Sequence, residues 1–220
     1  SIKKLGSSAL KAGAAYFGTR GLINAIVSST EAFGIQEQAE KALEVALGRT
    51  SNMLLKQASA LQKSTMFGDE AIIAQQAYVK SLGVSTDQTK EIIEASVDLA
   101  AAMGISLESA VMNTTKTLSG MQGELGEKLP AAFKELTAEQ LKAGEGIKFI
   151  REQFRGTAEE EVGTLTGSLD QMTNTLGDTA EAIGEIFSPV VTLLAQALGN
   201  AAREAQELLK YQVQKICKKN

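Results

Sequence analysis

EEVGTLTGSLDQMTNTLGDTAEAIGEIFSPVVTLLAQALGN, residues 160–200, keeps a seven-residue period from end to end. One column of that repeat is Val162, Leu169, Leu176, Ile183, Val190 and Ala197; three residues further on, the second is Leu165, Met172, Thr179, Ile186, Leu193 and Asn200. The first column is wholly apolar and the second mostly so, the pattern of a helix that packs lengthwise against other helices. An isolated amphipathic helix ordinarily lies on its own protein's core. Six heptads are too many for that reading. A helix from Thr157 to Cys217, at about 1.5 Å per residue, spans roughly 90 Å, more than the core of so short a chain can cover. The seam therefore predicts a long C-terminal rod that meets copies of itself.

Gly163, Gly167, Gly177, Gly184 and Gly199 fall within the same stretch, and none occupies a seam column. A glycine inside a helix costs about 1 kcal/mol relative to alanine. Two readings stay open: a rod softened on its outer side, or small residues that let another wall come close. Pro189, after Ser188, predicts a kink or a restart, because proline removes a backbone donor in mid-helix yet suits a first turn.

The rest of the composition agrees with helices. Aromatic residues make up 5% of the 220, tryptophan and histidine are absent, and proline occurs only at Pro130 and Pro189. Alanine, leucine, glutamate, lysine and glutamine dominate, so the predicted class is all-α. Cys217 is the single cysteine, which rules out a disulfide framework within this sequence. The net charge of −4 is unevenly spread. Residues 1–30 carry four bases and no acid, residues 203–220 five bases against two acids, and the stretch between them carries −11. Basic ends suit nucleic acid, lipid head groups or an acidic wall; the plainer reading is solvated lysines and a favoured helix C-terminus. The sequence begins Ser-Ile-Lys-Lys, which fits methionine removal, processing, or a piece of something longer. Lys11, Arg20 and Asn24 interrupt Ala9–Val27 well short of a span of about 20 apolar residues, and Glu185 argues against Ile183–Leu198. No cleavage site of the secretory kind closes the first stretch.

Local caps divide the chain. Residues 5–28 read as one glycine- and alanine-rich helix. Ser29 or Thr30 is expected to cap a second, running to about Ser64, with Ala39, Leu43, Ala46, Leu47, Met53, Leu54, Ala58 and Leu61 at helical spacing and a break near residues 49–52. Asp69 is an expected N-cap after Phe67-Gly68. Ser85 with Gln88, Thr137 with Gln140, and Thr157 with Glu160 have capping-box spacing, and Ser106 is a simple cap. Gly83, Gly104, Gly120 and Gly156 are expected stops. The inner stripes are Ile92, Ile93, Val97 and Leu99 or Ala100; then Leu107, Ala110, Val111, Thr114 and Leu118; then Leu141, Ile147, Ile150 and Phe154. Residues 121–130 read as a loop. Three regions result: long helices over 1–66, a compact set of short capped helices over 67–156, and the rod over 157–220.

Little in the sequence carries chemistry. Histidine-dependent nucleophiles, bases and zinc sites are excluded by the missing histidine. GMQGELGEK, residues 120–128, fails as a phosphate loop, since Glu127 displaces the lysine and Leu129 stands where a hydroxyl belongs. KAGEG, residues 142–146, reads as helix interior. Glu159, Glu160 and Glu161 complement a helix dipole better than they make a metal site. Carboxylate pairs such as Glu91 with Glu94 have the spacing of solvated helix faces. No cofactor, metal or small-molecule substrate is expected, and the chain is expected not to be an enzyme.

Residues 85–195 resemble phage tail tape measure proteins. The likeness rests on ordered motifs across helix boundaries: LAAAMG (99–104) before ISLESA (105–110), the LSG exit (118–120), the GELG loop (123–126), LTAEQLKAG (136–144), FRGTA (154–158), TGSL (166–169), and LGD (176–178) before the Gly184 and Ser188-Pro189 step. The resemblance implies a helical virion protein in the lumen of the tail tube. Such a protein sets tube length during assembly in the host cytoplasm and leaves through the tip as the genome is ejected. It implies several copies, expected as a trimer, with tail tube and tip or baseplate hub proteins as partners and transient contact with the DNA end or host membrane. Branched Val162, Ile183 and Val190 above Leu165 and Leu193 lean to two strands, while Ile186 and Thr179 blur that preference. Family members are usually much longer than this sequence. The alternative is a coiled-coil signalling or secretion-translocator protein, whose unbroken antiparallel heptads the short capped helices fit poorly.

Overall fold

The structure of the chain, a computed structural model, describes the backbone of residues 2–48 and 51–217. It describes their side chains from Asn24 on, except at 26, 165–166, 194–195, 197–198, 201–202, 205, 208–209 and 211–217. Every element among the described residues is a helix, so the fold is all-α. In order these are α1 Ile2–Leu47, α2 Asn52–Ser64, α3 Asp69–Ser81, α4 Thr86–Met103, α5 Leu107–Thr117, α6 Leu125–Lys128, α7 Ala131–Lys134, α8 Ala138–Lys142, α9 Glu145–Phe154, α10 Thr157–Val162 and α11 Leu165–Cys217. No helix among the described residues is long and apolar enough to cross a membrane.

The chain forms two compact units, one of residues Ile35–Asp178 and one of Ser1–Gly34 with Thr179–Asn220. These boundaries differ from the divisions at 66 and 156 that the local caps suggest. Leu54 and Ala58 of α2 and Ala158 of α10 are buried in the same core as Ile92 and Ile93 of α4, so both flanking helices belong to the body.

The body's core is built on α4. Its apolar residues recur at helical spacing, and Ile92, Ile93, Val97, Leu99 and Ala100 are all buried. Ser85 caps it, its Oγ accepting from Gln88 N at 3.3 Å, and Gly104 ends it at φ 61°. Thr137 and Gln140 form the full reciprocal box, at 3.2 and 2.9 Å. A buried amide relay ties α2, α3 and α4 together. Gln76 Nε2 donates to Leu54 O and Gln57 Oε1, and Gln57 Nε2 donates to Lys90 O and Glu94 Oε1. Buried polar groups need such partners, because an unpaired one keeps its desolvation cost.

Residues 121–130 contain a short helix, α6, which sends Leu125 into the core. Gln122 organises the segment downstream: its Nε2 reaches the carbonyls of Phe133, Lys134 and Leu136 at 3.3, 2.9 and 3.1 Å. That clamp holds α7 so that Phe133 is fully buried, its ring 5.4 Å from the ring of Phe149. The stretch KAGEG is not one helix interior: Lys142 ends α8, Ala143 and Gly144 turn, with Gly144 at φ 95°, and Glu145 opens α9. Likewise Gly68, not Asp69, is the N-cap of α3. Nor does Ser29 or Thr30 start a helix, since α1 continues through both.

In the other unit, Gly184 is buried where α11 passes α1. A Cβ there would run into the carbonyl of Ser29 and lie 2.8 Å from Phe33 Cβ. Backbones this close require a residue without a side chain.

Candidate self-association surface

The predicted rod from Thr157 is two helices. Gly163 ends α10, and Thr164 starts α11, its Oγ1 accepting from Gly167 N at 3.0 Å. The corner is tight. A Cβ on Gly167 would strike the carbonyl of Glu161 and come within 2.8 Å of Val162 Cα. The capping box expected of Thr157 and Glu160 is absent, because α10 is capped across the fold instead. Asp98 on α4 accepts from Gly156 N at 3.2 Å and from Ala158 N at 3.1 Å. A carboxylate at a helix N-terminus meets both the unpaired amides and the positive end of the dipole. Val162 consequently sits on α10 and is half-buried there, out of step with the columns of α11.

Within α11 the seam residues share one exposed face. In the body's part of the helix Leu169, Met172 and Leu176 are exposed; in the other unit Ile183, Ile186, Val190 and Leu193 are exposed as well. Their exposure runs from 40% at Ile183 to 66% at Leu193, far above that of core residues of the same types. Leu165 and Ala197 belong to the predicted seam but lie outside the described side chains. The less exposed positions are Gln171 and Asn174 in the body and, in the other unit, Ala180, the buried Gly184 and the half-buried apolar residues Phe187 and Val191. Helical geometry explains the pairing, since a step of two residues turns a side chain about 200° around the axis. The neighbours of the glycines vary along the helix. Gly184 meets α1 and Gly167 its own corner, while Gly177 and Gly199 face open space.

The body also holds an open cleft of about 790 Å³ between α2, α4, α9 and α10. Its floor is Thr65 and Val97, both buried, and its walls carry Lys148, Arg151 and Arg155 opposite Glu94 and Asp98. Arg151 bridges Glu91 and Glu94 at 3.6 and 3.7 Å, so this carboxylate pair braces α4 against α9. Asp98 is engaged by the α10 backbone. The carboxylates of this cleft that have partners thus serve packing between helices. Glu159, from the predicted acidic run, lines the rim in the first turn of α10.

Comparison of the chain with known protein families, curated proteins and solved structures finds no match.

Proposed function

We propose that this chain is a structural component of a phage tail, a tape measure protein, whose α11 associates with copies of itself through Leu169, Met172, Leu176, Ile183, Ile186, Val190 and Leu193. The observation that carries this reading is the exposed face of α11: seven large apolar side chains at heptad spacing stand in solvent. Exposed apolar surface on this scale marks an interaction site. Taken with the ordered motifs of residues 85–195, it favours a coiled-coil-like rod running in the lumen of a tail tube. Its partners there are further copies, tube subunits and tip proteins, and its role is mechanical, not catalytic. The flanks of the seam, Thr173, Thr175, Ala180 and Ala182, are uncharged, so packing shape and not ion pairing sets the copy number.

Sedimentation of the purified chain over a range of concentrations tests the association. A defined oligomer that dissociates when Leu176 and Ile186 become lysine supports it; a monomer at every concentration overturns it. The length-setting role has its own test in assembled particles. Deleting two heptads from α11 should shorten the tail by about 20 Å, the rise of 14 helical residues; tails of unchanged length overturn the role. The signalling or translocator alternative predicts neither particle incorporation nor a length effect.

A further inference from the structure

The first turns of α11 are held on the body by a different means from α4 or α5. Gln171 Nε2 donates to Lys63 O at 2.6 Å, Asn174 Nδ2 donates to Met66 O at 3.0 Å, and Asp178 Oδ1 accepts from Gln62 Nε2 at 2.7 Å. Residues 171, 174 and 178 share one helix face. Lys63 O is one of the last carbonyls of α2, which have no partner within their own helix. Helix α11 therefore completes the end of α2 through side-chain amides. The apolar residues of the same segment, Leu169, Met172 and Leu176, are exposed, and none of them is buried in the core. Helices such as α4 and α5 are fixed instead by fully buried branched side chains.

We propose that residues 165–178 form a releasable strap, docked on the α2–α3 corner by Gln62, Gln171 and Asn174, that comes away while the core behind it stays folded. This inference does not rest on the tape measure reading. Charge at the corner gives the strap a pH sense. Asp69 opens α3 beside the docking site. Burial first, and then the neighbouring charges of Glu70 and Asp178, push its carboxyl up to about 6. Lys63 lies in the last turn of α2, and Glu181 stands about one turn beyond Asp178 along α11. Above the Asp69 pKa, ionised Asp69 and Asp178 repel each other across the contact, and the hold loosens; below it, the hold tightens.

Amide hydrogen exchange on the full chain tests this, with protection compared between residues 165–178 and α4. In the wild type at pH 7.5 the strap should be much less protected than α4. In the double variant Gln171→Ala, Asn174→Ala, protection of 165–178 should fall a further tenfold or so, with α4 unchanged, since each lost hydrogen bond is modest and local opening is independent of global unfolding. Parallel loss in α4 would make the segment an integral part of the core and overturn the proposal. No change in either would show that the amides hold nothing, and would overturn it equally. Asp69→Asn should raise strap protection at pH 7.5 and leave it unchanged at pH 5; an unaltered strap at pH 7.5 overturns the pH sense.

Discussion

Helices α4 and α11 are both amphipathic, and they turn their apolar sides in opposite directions. Ile92, Ile93, Val97 and Leu99 of α4 are shut away from water, whereas Leu169, Leu176, Ile186 and Leu193 of α11 are open to it. The polar faces are reversed too. On α4 the side chains of Glu91 and Glu94 reach outward to Arg151, while on α11 Gln171 and Asn174 are the residues that reach the chain's own backbone. A periodic apolar stripe therefore shows that a helix wants a neighbour without saying whether that neighbour lies in the same chain. Two such helices in one molecule differ in what their stripes are for: α4 organises the monomer, and α11 presents the surface through which we propose monomers meet.

The contrast is tested most severely at the core. Phe133→Ala should cost about 3–5 kcal/mol of stability, the usual range for emptying a buried aromatic site, and denaturant unfolding of the variant measures it. Lysine at Leu176 and Ile186 is the opposite experiment. Unfolding of the monomer should change by no more than about 0.5 kcal/mol, as for other exposed positions, while sedimentation reports loss of assembly. A large loss of monomer stability would place α11 with α4 and erase the contrast.

Smaller effects refine the picture. Asp98→Ala removes the side-chain cap of α10 and should cost about 1–2 kcal/mol, with the loss of helicity seen by circular dichroism. Arg151→Ala breaks a half-exposed bracket and should cost about 0–1 kcal/mol. Asp69 contributes a pH slope. Because its folded pKa, about 6, lies above the ordinary 3.8, the folded state holds that proton more tightly. Its contribution to stability is then full below the unfolded value and is lost as pH rises through about 6. Melting temperature should therefore climb on acidification from pH 7 toward 5, and Asp69→Asn should flatten that part of the profile.

What was legible in the sequence was local. Ser85, Ser106 and Thr137 cap the helices they were expected to cap, because a cap is decided by residues three positions away. The inner stripes of α4 and α5 read correctly for the same reason. Some misses were local, such as Gly68 in place of Asp69 as the cap of α3, and others had their deciding partner far along the chain. Phe133 has no periodic neighbours between Pro130 and Lys134, and the segment that carries it inward is held by Gln122 on three carbonyls and by the Phe149 ring. The break between Val162 and Leu165 keeps the heptad pattern intact and so was invisible to periodicity. The Gly163-Thr164 pair was the available mark, a helix stop followed by a hydroxyl cap. The face of α11 was legible as a stripe, and its two glycine roles were not. Nothing local distinguishes Gly184, pressed against Ser29, from Gly177, which faces nothing.

The cap that Asp98 provides for α10 has a consequence for the order in which the chain acquires structure. A six-residue helix is far too short to persist alone, since nucleating a turn fixes several residues before any bond repays it. Its two capped amides wait for a carboxylate 58 and 60 positions upstream. As the chain emerges during synthesis, α10 is therefore a late arrival, coiled only after α4 has found its place. The corner that launches the final helix is set after everything it turns away from.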